Sequence, residues 1–253
     1  MRISAGTLPL LEPDWPLPAG VQARVSTRAG GVSAAPYASL NLGSHVGDDA
    51  DAVAMNRARL RHLLPAEPLW LQQVHGIAVA DADADDGVPT ADAAVARRPG
   101  RVCAVLTADC LPVLLCDAAG TVVGAAHAGW RGLAEGVIEA TLARMAVPPQ
   151  TVMAWLGPAI GPQAFEVGDE VRARFLGLDA AAAAAFVPAT AAGKWMADLF
   201  LLARQRLERA GVVSVHGGGV CTHGDPGRFY SYRRDRVTGR FASLIWLESP
   251  PRG

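Results

Sequence analysis

The chain has few of the residues that most readily indicate chemistry. It carries four cysteines and six histidines in 253 residues. So few thiols do not make a secreted disulfide framework; each reads as a core thiol, a ligand or a nucleophile. Charge of either sign is sparse and balanced, with Lys plus Arg at 23, Asp plus Glu at 24 and a formal net charge of −1. There is no global basic field to grip phosphates along a strand, so no nucleic-acid partner is expected. No apolar run approaches the roughly 18 residues of a membrane span, so no membrane partner is expected. The N-terminal stretch has one early arginine, Arg2. Pro9, Pro13, Pro16 and Pro18 break it before a signal-like apolar run can form. These absences predict a cytoplasmic protein.

Apolar residues are plentiful, at 51% of the chain. That excludes wholesale disorder. A globule of this length buries roughly 70–75% of its unfolded surface and needs no staple. We expect one α/β domain over residues 1–253, of which 1–20 form a Pro-rich segment. Val21–Thr27 alternates and reads as a strand. Asp51–Leu64 reads as a helix stopped by Pro65. Leu69–Val74 and Arg101–Thr107 read as strands. Pro112–Asp117 and Thr121–Ala126, joined across Ala118-Ala119-Gly120, read as a hairpin. Gly132–Ala146 has helical spacing; so do Gly168–Leu176 and Trp195–Ala210. Val152–Leu156, Val212–His216 and Phe241–Leu247 complete the strands, and Ala180–Ala185 reads as a short helix or an insert. Strands and helices mix without a βαβ beat, which predicts a mixed, largely antiparallel sheet with packed helices.

Three segments share one design, in which an apolar strand ends on a reactive side chain. They are Gln73-Val74-His75-Gly76, Ala108-Asp109-Cys110-Leu111 and Ala126-His127-Ala128-Gly129. Strand ends present side chains to clefts on a rigid base. His75, Cys110 and His127 together are a zinc-type donor set with room for a fourth, exchangeable ligand. Equally, each is a satisfied core or turn residue. Cys103 and Cys116, inside apolar strands, read as inert thiols. Asp109 is a candidate acid/base or a turn cap. Arg131 stands near a helix start and Arg28 near the Gly30-Gly31 turn, where either can meet an anion or simply solvent. His45, in a Gly-flanked loop, is a possible extra ligand or a loop hydrogen bonder. Asp81, Asp83, Asp85 and Asp92 nearly imitate a calcium loop. Asp86 stands where that loop needs Gly, so a solvated acidic loop is expected. Phe229–Asp235 offers aromatics for a planar base and arginines for an anion, or else an edge strand.

Taken together, these segments resemble one family. The residues that carry the likeness begin with Ser26-Thr27-Arg28, Gly30-Gly31, Ser39-Leu40-Asn41-Leu42-Gly43, His45-Val46-Gly47-Asp48 and Asn56-Arg57. They continue through Gln73-Val74-His75-Gly76, Ala108-Asp109-Cys110-Leu111-Pro112 and His127-Ala128-Gly129-Trp130-Arg131-Gly132. Gly157-Pro158-Ala159-Ile160-Gly161, Phe165-Glu166-Val167 and Ser231-Tyr232-Arg233-Arg234-Asp235 complete the series. The chain resembles the YfiH-like family, also called the laccase-domain or polyphenol oxidase family of purine nucleoside phosphorylases, which includes peptidoglycan editing factors. Arg236 stands where relatives usually carry Gly. The resemblance implies a YfiH-like sandwich with zinc held by His75, Cys110 and His127. It further implies phosphorolysis of adenosine, inosine or methylthioadenosine, and deamination of adenosine. His75, Cys110, His127 and Asp109 are then the catalytic candidates. Arg28, Asn41, Arg57 and Arg131 are the candidates for binding substrate and phosphate. The partners are small molecules: purine nucleosides, phosphate and water.

Two other chemistries fit parts of the pattern. Cys110 with His127 as base would make a nucleophile for a peptidoglycan-precursor hydrolase. A copper-dependent polyphenol oxidase needs a second, imidazole-rich cluster, and six histidines cannot furnish both centres. A non-enzymatic binding protein would need a closed metal site, with His45 as the fourth donor.

Overall fold

The computed structural model describes residues 2–3 and 8–249. Residues 1 and 4–7 of the Pro-rich segment, and the end of the expected domain at 250–253, lie outside the described residues. Two six-stranded sheets and one three-stranded sheet account for the strands. The first sheet runs Arg2–Ile3, Leu11–Glu12, Val21–Val25, Phe241–Leu247, Val102–Thr107, Pro68–Leu69. The second runs Ser214–Gly217, Val152–Leu156, Leu111–Asp117, Val123–Ala128, Ala93–Ala96, Val79–Asp81. Pairing is mostly antiparallel. Parallel pairs occur at Pro68–Leu69 with Val102, at Val79–Asp81 with Ala93, and at Val152–Leu156 with Ser214. The expected mixed, largely antiparallel α/β architecture is therefore present, divided into stacked sheets.

The layers follow from side-chain alternation along each strand. In Val102–Thr107, Cys103 and Val105 pack against Leu114, Cys116, Val123 and Ala125 of the second sheet. Val102, Ala104 and Leu106 face the other way, onto Leu40, Leu42, Leu60 and Trp70. In Leu111–Asp117, Leu111, Val113 and Leu115 face Leu133, Ile138, Phe200 and Leu207 of the helices. The result is four layers, with a helix, two sheets and a helical layer in order. Strands covered on both faces read as unbroken apolar runs, which is why Val102–Thr107 and Leu111–Asp117 are buried throughout.

Several boundaries differ from expectation for local reasons. The helix expected over Gly132–Ala146 is two helices, Trp130–Glu135 and Val137–Met145, broken at Gly136 with φ 104°. The helix expected from Trp195 begins at Leu199, because Asp198 caps it by accepting a hydrogen bond from Leu201 N at 3.0 Å. The residues before the cap, Lys194–Ala197, form the middle strand of the third sheet. The expected Leu69–Val74 strand shrinks to Pro68–Leu69 and a single bridge at Gln72. Ala180–Ala185 is a 3₁₀ helix. Tyr232–Asp235 is a helical turn capped by Ser231, where an edge strand was the alternative.

Candidate metal centre and active-site cavity

Sheet register assembles the centre. Leu111 pairs with Ala128 and Pro112 with His127, so Cys110, one residue before its strand, lies at the His127 end of the hairpin. Ala93 pairs with Ala126 on the other side of the same strand, which sets Asp92 across from His127. The two residues are joined twice. His127 N donates to Asp92 O at 2.7 Å, and His127 Nδ1 lies 2.8 Å from Asp92 Oδ1. The Asp92 carboxylate also accepts the backbone N–H groups of Val74, His75 and Gly76, at 3.1, 2.9 and 2.7 Å. One buried carboxylate thus orients one imidazole and fixes the loop that carries the other. His75 sits in that loop at φ 62°. Its Nε2 is 3.8 Å from Cys110 Sγ.

The ligand atoms of His75, Cys110 and His127 all lie within 4.8 Å of one another, and this group could hold a metal ion. Among the described residues no further His, Cys, Asp or Glu joins it. Gly129 makes the cluster possible: a Cβ there would stand 3.0 Å from both Cys110 Sγ and His75 Cδ2. Electrostatics suits the donors to the task. Burial opposes ionisation of Cys110, but His127 and a hydrogen bond from each imidazole pull its pKa down to about 6. Burial likewise opposes charge on His127, yet Cys110 and the Asp92 carboxylate raise it to about 9. With Nδ1 taken by Asp92, Nε2 is the free donor, and an imidazole so braced is a stronger ligand. Two imidazoles and a ready thiolate fit a borderline divalent metal. Burial pushes the Cys116 thiol up to about 12 and raises Cys103 as well, consistent with inert core thiols.

Asp92 was expected in a solvated acidic loop with Asp81, Asp83 and Asp85. It is instead fully buried. The other three are engaged in the loop's own turn and with Arg97, Arg98 and Arg144.

The triplet lines a cavity of about 400 Å³. Trp130, Phe165 and Tyr232 supply aromatic surface; Asp109, Arg233, Arg240 and His45 supply polar groups. Burial, followed by the positive charge of Arg240, Arg57 and His127, holds His45 below its ordinary pKa. Asp109 lines the cavity at φ 88° with both carboxylate oxygens engaged, accepting from Thr222 Oγ1 and from Arg233 N, each at 2.6 Å. The four substrate and phosphate candidates do not line it. Arg28 donates to Ala38 O and Pro226 O and lies over the Tyr230 ring. Arg57 donates to Leu42 O and stacks on Trp70. Arg131 lies over Trp130, and Asn41 is buried in a hydrogen-bonded loop. Sequence reasoning missed Arg240 altogether, and no local pattern around it marks it out.

Comparison with known proteins bears on this geometry. The family model described as multi-copper polyphenol oxidoreductase laccase matches residues 22–248. The chain belongs to this family. It is 58% identical over 238 residues to a protein named purine nucleoside phosphorylase from Pseudomonas aeruginosa, covering 94% of this chain and 98% of that one. It is 54% identical over 241 residues to the purine nucleoside phosphorylase YfiH of Escherichia coli, with the same coverage, 94% and 98%. A solved structure from Neisseria meningitidis, described only by a family of unknown function, superposes with a TM-score of 0.91 at 52% identity, covering 95% of this chain and 99% of that one. The family's name promises several coppers, but the described residues contain one three-donor cluster. Of the remaining histidines, His62 ends a helix and His216 bonds Ser214. Among the described residues, no helix is long and apolar enough to cross a membrane.

Proposed function

We propose that this chain is a zinc-dependent purine nucleoside phosphorylase that also deaminates adenosine, acting in the cytoplasm on small molecules. The observation that carries the reading is an open three-donor cluster, His75, Cys110 and His127, in the wall of a nucleoside-sized cavity that also holds aromatics and unpaired cations. The names of the relatives point the same way. Bound zinc would supply positive charge beside the reacting atoms and acidify a water. The chain does the rest. Tyr232 offers an aromatic face to a planar base, and Phe165 adds apolar surface with the Arg233 guanidinium lying over its ring. Asp92 keeps the His127 ring in one orientation and its Nε2 available. Asp109, first read as a proton shuttle, is assigned to holding the Tyr232–Asp235 turn against the cavity, since both of its oxygens are engaged.

A second reading, a Cys110-nucleophile hydrolase, is favoured by the thiol pKa of about 6. Metal analysis and one assay separate the two. Purified protein should contain near-stoichiometric zinc and convert adenosine plus phosphate to adenine plus ribose 1-phosphate. Cys110→Ala should lose zinc and both purine activities together, while Cys103→Ala costs about 1 kcal/mol of stability and keeps zinc. No turnover with any purine nucleoside sinks the proposal. A Cys110→Ala protein with full zinc and no activity supports the nucleophile instead.

A further inference from the structure

Arg240 stands just before the Phe241–Leu247 strand. Phe241 pairs with Thr107, so Arg240 comes opposite Ala108, two residues from Cys110 in the neighbouring strand-end loop. Its backbone is fixed by Asn41, whose Oδ1 accepts from Arg240 N at 2.8 Å. Gly43 leaves room for its side chain, since a Cβ there would lie 2.9 Å from Arg240 Cγ. Its Nη1 donates to Thr238 O and Gly239 O, both at 3.0 Å. Nε and Nη2 have no partner among the described residues, and no carboxylate pairs with this guanidinium. Asp109, the only carboxylate among the described residues that lines the cavity with it, is already doubly hydrogen-bonded. Arg233 on the same cavity is likewise without an acidic partner; its Nη1 meets the Glu166 carbonyl. The imidazole of His45 lines the cavity within electrostatic reach of Arg240. Thr107, which also lines it, has a buried hydroxyl with no partner. Cys110 and Asp109 act on Arg240 through space, but neither pairs with it directly. A half-buried cation without a direct ion-pair partner, with free N–H groups in a cavity, is complementary to a multiply charged oxyanion.

We propose that Arg240, seconded by Arg233 and His45, is the subsite for the inorganic phosphate dianion. The proposal rests on the phosphorylase reading and replaces Arg28, Arg57 and Arg131 as its phosphate ligands. In the step it serves, a phosphate oxygen bonds to C1′ as the C1′–N9 bond breaks. The electron pair of that bond leaves on N9, the proton of the hydrogen phosphate ends on the base, and ribose 1-phosphate departs as a dianion. Deamination of adenosine consumes water and no phosphate, so it is an internal control.

The test is Arg240→Met and Arg240→Lys in the metal-loaded protein. Inorganic phosphate is titrated by calorimetry, and phosphorolysis and deamination are assayed side by side. In the wild type, phosphate should bind. In Arg240→Met, phosphate binding should be lost and KM for phosphate should rise about tenfold or more, with kcat/KM for phosphorolysis falling further than that for deamination, which uses no phosphate. Arg240→Lys should fall between the two. Wild-type phosphate affinity in Arg240→Met overturns the proposal, above all if Arg28→Met, Arg57→Met or Arg131→Met loses it instead. Equal loss of both activities in both Arg240 variants also overturns it, by making the residue structural. If the wild-type protein binds phosphate through Arg240 and turns over no nucleoside, the phosphorylase reading fails and the anion subsite stands.

Discussion

At the scale of the residue, Cys110 is the most informative atom in the chain. Its pKa is held at about 6 against an ordinary thiol value of 9.0, so in metal-free protein the thiolate forms as pH rises through 6 rather than 9. Alkylation of metal-stripped protein by iodoacetamide should therefore be half-maximal near pH 6 and flat above about 7. Added zinc should abolish it, and an inflection at the ordinary thiol pKa would refute the described contacts with His75 and His127. Asp92 is the second informative residue. Burial works against its charge, but His127 and the N–H groups of Gly76 and Val74 keep its carboxyl below the ordinary range. Asp92→Asn keeps the shape but puts an amide N–H against those donors. Metal affinity should drop roughly 10–100-fold and stability by about 1–3 kcal/mol, read by chelator competition and denaturant titration. An unchanged affinity would mean that the imidazole does not need its brace. The three donors were legible in the sequence because each stands in or directly beside an apolar run with small or turn-forming neighbours: Gly76 after His75, Ala108 before Cys110, and Ala128-Gly129 after His127. Asp92 was not, because it follows the acidic run from Asp81 to Asp86 and only the pairing of Ala93 with Ala126 brings it to His127.

At the scale of the element, legibility followed burial. Val102–Thr107 and Phe241–Leu247 are apolar on both faces and were readable as strands. The break at Gly136 was hidden, because Leu133, Val137 and Ile138 keep helical spacing across it. Trp195 and Met196 looked helical because they run directly into the apolar start of Leu199–Arg209. The turn after Tyr232–Asp235 shows a local cost. Arg236 has φ 62° and ψ −64°, and Val237 N donates to Asp235 O at 2.7 Å, which is a γ-turn of the strained, positive-φ kind. The side chain is exposed, so little is gained from it. Arg236→Gly should stabilise the protein by about 1 kcal/mol in denaturant titration. A loss of stability would show that the arginine makes contacts that outweigh the strain.

At the scale of the whole molecule, the two sheets meet the site at one end of the sandwich. The link Ala108-Asp109-Cys110 carries the chain from the first sheet to the second. The overall class was legible, since strands mixed with helices without a βαβ beat imply a mixed sheet. The stacking of two sheets was not, because the apolar runs do not say which partner covers which face. The first sheet also has an order of assembly built into it. Its interior strand, Phe241–Leu247, lies between Val21–Val25 and Val102–Thr107. A protein cut after Arg240 should accordingly be protease-sensitive and bind no metal, whereas the intact chain should resist; a folded, metal-binding truncation would refute this. On the ribosome, then, both neighbours emerge long before the strand that joins them, and their apolar edges wait in the open until residue 247 has been made. Through most of its own translation the nascent chain exposes an unclosed sheet, a state in which chaperones, rather than its own core, guard it from aggregation.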